Sequence, residues 1–190
     1  MGVGIVALVI LGGLILLVLI VGAWVVGLYN SLVRLKVSTE SAFSGIDVQL
    51  KRRHDLIPNL VETVKGYATH EKGTFEAVTQ ARAAAMGARS VDEKIAAEGT
   101  LSGALGRLMA VAEAYPQLRA NENFMQLQGQ LTDIENRISA ARGGYNGSAE
   151  GFNATLQQFP TNIIGGIFGF RAFEFFKVND GERAVPQVKF

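Results

Sequence analysis

Residues Val3–Leu28 are drawn only from Gly, Ala, Val, Ile, Leu and Trp, and all 35 charged side chains of the 190-residue chain lie after them. A run of this kind excludes a plain soluble globule. As a helix it would extend about 39 Å at 1.5 Å per residue, against about 30 Å of bilayer hydrocarbon. Residues 1–28 are therefore expected to form a transmembrane anchor, with Trp24 and Tyr29 as an interfacial aromatic pair. A cleaved signal peptide fits less well, because no Lys or Arg precedes the run and its length exceeds the usual ~7–15 apolar residues. Arg34 and Lys36 follow the span, with Lys51, Arg52 and Arg53 further on. The positive-inside rule then places the rest of the chain in the cytoplasm and the short N-terminus outside. Arg34 and Lys36 are assigned to lipid headgroups. Within the span, Ala23 and Gly27 form a small-xxx-small pair that lets helix backbones approach closely.

Beyond the anchor, roughly 160 residues remain, enough for one domain. The net charge of +1 gives no basic field for nucleic acid. The absence of cysteine excludes a disulfide framework, a thiolate metal site and a cysteine nucleophile.

The spacing after Phe43 is helical. Phe43, Ile46, Leu50, Arg53, Ile57, Leu60, Val64 and Tyr67, then Glu71, Thr74, Val78, Ala81 and Ala85, follow one another in steps of three and four, which is a heptad seam. Arg53 and Glu71 are its two polar positions, read as bundle or subunit contacts. Pro58 interrupts no apolar phase and reads as a kink, and Gly87 suits a left-handed cap. Ser90 and Glu93 form a capping-box pair ahead of a second helix, whose seam is Leu101, Leu105, Leu108, Ala112 and Tyr115 before Pro116. Asn121 or Asn123 can cap a third. Its seam runs Phe124, Leu127, Leu131, Ile134, Ile138, Ala141, Tyr145, Ser148, Phe152, Thr155, Phe159. Tyr145–Asn146 and Phe152–Asn153 repeat one heptad apart on one face. Gly143, Gly144, Gly147 and Gly151 cost about 1 kcal/mol each against Ala, so close packing on a neighbour is expected there.

The expected fold is all-α: a transmembrane helix continuing into a long antiparallel, coiled-coil-like bundle over residues 29–160, followed by an aromatic, Gly-rich segment over 161–190. Three long helices, near 29–86, 91–115 and 121–159 with the first kinked at Pro58, would stand as a bundle on a stalk with the C-terminus distal to the membrane. Were Pro58 a true turn, four helices would form and the C-terminus would return towards the lipid.

The run Tyr29-Asn30-Ser31-Leu32-Val33, the stretch from Leu50 through His54-Asp55 to Val61, and Val64-Lys65-Gly66-Tyr67 with His70-Glu71 together resemble the LemA family. Tyr115-Pro116, Asn121-Glu122-Asn123, Glu135-Asn136-Arg137-Ile138, Ala141-Arg142, Tyr145-Asn146, Phe152-Asn153, Phe159-Pro160 and Phe168-Gly169-Phe170 continue the likeness in order. The resemblance implies a bacterial, single-span inner-membrane protein with a helical cytoplasmic domain, and it implies no reaction. It also implies a link to membrane organisation, with relatives in magnetosome membranes and others encoded beside membrane proteases. Gly143-Gly144 departs from the longer charged helix of the family and puts the straightness of the third helix in question.

Candidate chemistry is thin. His54-Asp55 and His70-Glu71 are the only histidines, about 24 Å apart along one helix, with no HExxH and no third ligand. Local ion pairing is expected for them and for Lys51-Arg52-Arg53, and no cofactor, metal or catalytic residue is assigned. Six of the eleven phenylalanines fall between Phe159 and Phe176. This segment, including Phe168, Phe170 and Phe173, could cap the bundle, pack on another subunit or enter a membrane interface. Phe173, Phe175 and Val178 suggest a brief extended piece, and Asn179–Phe190 a turn-rich tail. The expected function is a non-enzymatic scaffold at the lipid bilayer that assembles as a homo-oligomer. The alternative is an adaptor or sensor for a membrane protease or other envelope partner.

Overall fold

The structure, a computed structural model, describes residues 2–176. Among these residues there are six helices and no strand: α1 (Gly2–Lys65), α2 (Lys72–Gly87), α3 (Val91–Glu113), α4 (Pro116–Arg119), α5 (Glu122–Gln157) and α6 (Thr161–Ile167). An extended stretch then runs to Phe176. Val178 and the tail from Asn179 lie outside the described residues.

The expected first helix of 29–86 is two helices, and the turn between them is not at Pro58. α1 continues through Pro58 to Lys65. A proline there removes the amide that would bond to the carbonyl four residues back, that of His54. Arg82 of α2 fills the gap: its Nε donates to the His54 carbonyl oxygen at 2.7 Å. The neighbouring helix thus meets the bonding requirement that Pro58 creates. The chain reverses instead at Gly66–Glu71, where Gly66 lowers helix propensity and the Tyr67 and Ala68 amides both close on the Val64 carbonyl. The seam misleads here because apolar phase is kept across the turn: Val64 and Val78 are both fully buried, while Tyr67 is exposed.

Two compact units make up the chain. One comprises Ala42–Asn146 together with Glu174, Phe175 and Phe176. Its core takes Ile57, Leu60, Val64 and Ala68 from α1 and the following turn, Phe75, Val78 and Ala81 from α2, Leu101, Leu105 and Leu108 from α3, and Leu118, Phe124 and Leu131 beyond. The register follows from side-chain pairs. Lys94 meets Asp47, Glu98 meets Arg53, and Asn121 donates to the Tyr67 hydroxyl at 3.0 Å. α3 therefore runs in the direction of α1. α5 runs back: Glu135 reaches Arg53 and Tyr145 stacks against Phe43. The stalk expectation is thereby overturned. An additional turn before α2 adds one reversal, so this is a four-helix arrangement in which α5 runs antiparallel to α1.

Local signals set the boundaries. Ser90 and Glu93 form the expected capping box, and the backbone amides of Arg89 and Ser90 hold the Glu93 carboxyl below the usual carboxylate range. Asn121, rather than Asn123, caps α5, its Oδ1 accepting from the Phe124 amide at 3.0 Å. α5 passes unbroken through Gly143 and Gly144. Gly87 does not take the left-handed conformation, since the chain leaves α2 through an extended Ala88.

The other unit comprises residues up to Ser41 and Gly147–Phe173. Here α6 packs on α5 at Gly165, where an added Cβ would collide with the Leu156 side chain. Gly169, at φ +72°, ends α6. The Phe170 amide bonds to the Gly165 carbonyl and the Gly169 amide to Gly166, the Schellman pairing that only a left-handed residue allows cheaply.

Candidate functional site

Three groups of residues carry the polar and aromatic features that the sequence singles out. The first is buried between helices of the Ala42–Asn146 unit. Arg53 and Glu98 are both almost completely buried. Arg53 Nη1 donates to Glu98 Oε2 at 3.0 Å and Nη2 to Ser102 Oγ at 2.6 Å. Glu135 Oε1 stands 2.9 Å from Arg53 Nε, a charge contact outside hydrogen-bond geometry. His54 Nε2 lies 2.8 Å from Glu98 Oε1, so both oxygens of Glu98 are engaged. The cluster ties α1 to α3 and α5. Sequence reading placed Arg53 on the seam but missed its partners. Glu98 falls three residues before Leu101 on the seam of α3, a signal that was available.

Of the basic run, Lys51 pairs with Asp55 at 2.8 Å and holds that carboxyl below the usual range by its hydrogen bond, while Arg52 is exposed. Glu71, at the N-terminus of α2, accepts the Thr74 and Phe75 amides through its carbonyl. His70 is exposed in the Gly66–Glu71 turn rather than on the same helix as His54. Among the described residues no three His, Asp or Glu side chains converge as a metal would require.

The second group explains the paired Asn residues. Asn153 Nδ2 donates to the Phe173 carbonyl at 2.9 Å while its Oδ1 accepts the Phe173 amide at 2.8 Å. Asn146 treats Phe176 identically, with both bonds at 2.9 Å. Each side-chain amide replaces a neighbouring strand for one residue of extended chain. Seven residues of helix advance about 10.5 Å, and three residues of extended chain about 10 Å, so a heptad of α5 matches Phe173 to Phe176. Rings reinforce each clamp. Phe152 lies 5.1 Å from Phe173 and 6.2 Å from Phe170 between centroids. Tyr145 is 5.5 Å from Phe176, and its hydroxyl donates to the Glu174 carbonyl at 2.7 Å. Burial, with the Glu174 carboxylate adding to it, holds the Tyr145 hydroxyl above the usual tyrosine range.

The third group lies along the apolar part of α1. One helix among the described residues is long and apolar enough to cross a membrane, and it is α1. Its side chains are exposed all round from Leu8 to Trp24; cover begins at Val25, Leu28 and Tyr29. Trp24 is exposed, as are Ala23 and Gly27, with nothing near a Cβ added at Gly27. Tyr29 stacks on Phe168 at 4.7 Å and on Phe170 at 5.8 Å. Arg34 is exposed, and Lys36 faces Glu40 at 3.8 Å on the same helix.

An apolar helix without protein cover, continuing into an all-α bundle, defines a membrane-associated helical protein. The chain belongs to the LemA family, whose model matches residues 42–190. It is similar to the magnetosome proteins MamQ 1 and MamQ 2 of Paramagnetospirillum magneticum, each 28% identical over 175 residues that cover 78% of this chain and 64% of the relative. The chain therefore spans just under two thirds of the length of those two relatives. It is also 27% identical over 160 residues to Protein LemA of Metamycoplasma hominis, covering 83% of this chain and 73% of that protein.

Proposed function

We propose that this chain is a non-enzymatic scaffold, anchored in the bacterial inner membrane by α1 with its bundle in the cytoplasm, that assembles from several copies. The observation that carries the reading is the use made of the buried charged groups. Arg53 and His54 of α1 face Glu98 of α3, so the groups best suited to chemistry serve the packing of the bundle. The orientation rests on Arg34 and Lys36 following the span.

One chain buries its own seams from Ile46 to Val64 and from Leu101 to Ala112, so those seams do not call for neighbours. Support comes from the glycines of α5. Gly147 and Gly151, one turn apart, are exposed with nothing within 4 Å of an added Cβ, and the same holds for Gly143 and Gly144. Each costs helix propensity without packing on any described residue of its own chain, and close approach of another copy would use that space. Particle size after mild detergent extraction tests this. A homo-oligomer that Gly147→Leu with Gly151→Leu breaks into smaller, equally helical particles is expected. A strictly monomeric wild type contradicts it, and a monomer that co-purifies with one different protein favours the adaptor reading.

A further inference from the structure

The aromatic segment carries an apolar surface that is exposed among the described residues. Phe159 is 81% exposed, Ile163 51%, Ile167 70% and Phe168 54%, while Ile164 and Thr161 on the other side of α6 are buried. The short helix is therefore two-faced. Its inner face is fixed on α5 through Gly165, and its outer face carries Ile163 and Ile167, one turn apart, with Phe159 and Phe168 at the two ends. No Asp, Glu, Lys or Arg occurs from Gly151 to Phe170, a long interval for a surface meant to face water.

The position of this surface identifies its occupant. Phe168 stacks on Tyr29, the residue immediately after the uncharged run that ends at Leu28. A hydrocarbon layer of about 30 Å takes roughly 20 helical residues, and counting back from Tyr29 places them at residues 9–28, of which 9–24 are exposed all round. Tyr29 then stands at the boundary of hydrocarbon and headgroups, and Phe168 stands beside it. Exposed Arg34 and Arg171 follow each apolar element, where cations reach headgroup phosphates. We infer that α6 is a second membrane contact: Phe159, Ile163, Ile167 and Phe168 insert into the interfacial layer of the leaflet in which α1 ends, as the apolar face of an in-plane amphipathic helix does over a depth of about 5–10 Å. The occupant is lipid. This rests on α1 spanning the bilayer.

The chain contains no native cysteine, so single-cysteine variants of the full chain can each carry one environment-sensitive fluorophore. Ile163→Cys and Ile167→Cys report on α6, Val18→Cys on the anchor and exposed Met86→Cys on α2 of the other unit. In vesicles of phosphatidylcholine and phosphatidylglycerol, lipids carrying a quencher near the headgroup end of the acyl chain are expected to reduce emission at 163 and 167 about two-fold. Quenchers at the chain terminus should act mainly on position 18, and neither should affect position 86. Quenching at 18 without quenching at 163 or 167 overturns the inference while leaving the anchor intact. Blue-shifted emission at 163 and 167 that no lipid quencher reaches, and that reverts as protein is diluted in lipid, also overturns it by showing a second copy on that face. Absence of quenching at 18 removes the transmembrane reading and the inference with it.

Discussion

The two units solve the same problem, fixing long helices against one another, with partly different chemistry. In the unit of Ala42–Asn146 a buried ionic cluster, Arg53, His54 and Glu98 with Glu135 closing on them, is added to the Tyr145 and Asn146 contacts with Phe176. In the unit that includes the apolar anchor the fastening shown is aromatic and amide: Tyr29 on Phe168 and Phe170, Phe152 on Phe170 and Phe173, and Asn153 on the Phe173 backbone. The difference fits their surroundings. Charges can be desolvated where a protein supplies every partner, but beside a bilayer an unpaired charge is costly, and side-chain amides with rings give direction without net charge. One device serves each kind of fastening: a polar side chain takes over a backbone bond that secondary structure leaves open, as Arg82 does for His54 and Asn153 does for Phe173.

The largest expected effect comes from breaking the ionic fastening on one side. Arg53→Met leaves Glu98 buried without its main partner and should cost about 3–5 kcal/mol, read as a fall in the thermal midpoint of the full chain in detergent. Joint replacement, Arg53→Met with Glu98→Leu, should recover most of that loss, because the pair's attraction is largely offset by its desolvation. The aromatic and amide fastening should fail more locally. Asn153→Ala removes two hydrogen bonds to Phe173, about 2 kcal/mol in total, and should raise hydrogen exchange at the Phe173 amide while the amides of α2 and α3 stay protected. Arg82→Ala should cost about 1–2 kcal/mol by leaving the His54 carbonyl without a donor. The loss should shrink when Pro58→Ala restores the helical amide, so a double-mutant cycle of the two should show coupling of about 1 kcal/mol. The smallest effect is one of pH. Tyr145 ionises above its unfolded value near 10, so the stability it contributes is complete below about pH 10 and falls as pH rises beyond it. Tyr145→Phe should flatten that decline in an alkaline melting series.

Much of this was legible in the residues themselves. The uncharged run gave α1 its apolar half, Ser90 with Glu93 gave the start of α3, and the Tyr145–Asn146 and Phe152–Asn153 repeat marked the face that receives the C-terminal segment. The turn at Gly66–Glu71 was not legible, because seam spacing is blind to a reversal that keeps apolar phase, and because Pro58 drew attention as the obvious breaker. Its tolerance depends on Arg82, a residue of another helix, and no reading of α1 alone finds that. The destination of the aromatic segment depends on the same turn. One reversal fewer would part Phe168 from Tyr29, and the extra one brings them together. The ion cluster was half visible: Arg53 stood on its seam, but pairing it with Glu98 and Glu135 required the helix register.

That reversal is the central claim, and a single distance tests it. Spin labels at Asn30→Cys and Asn162→Cys, both exposed, can be measured by double electron–electron resonance in lipid nanodiscs, with labelled chains diluted into unlabelled ones to suppress contacts between copies. A bundle whose last long helix descends to Tyr29 predicts a dominant separation below about 25 Å, whereas a three-helix bundle on a stalk predicts about 50 Å or more. A narrow short-distance population supports the return of the aromatic segment to the anchor, and a dominant long distance contradicts it.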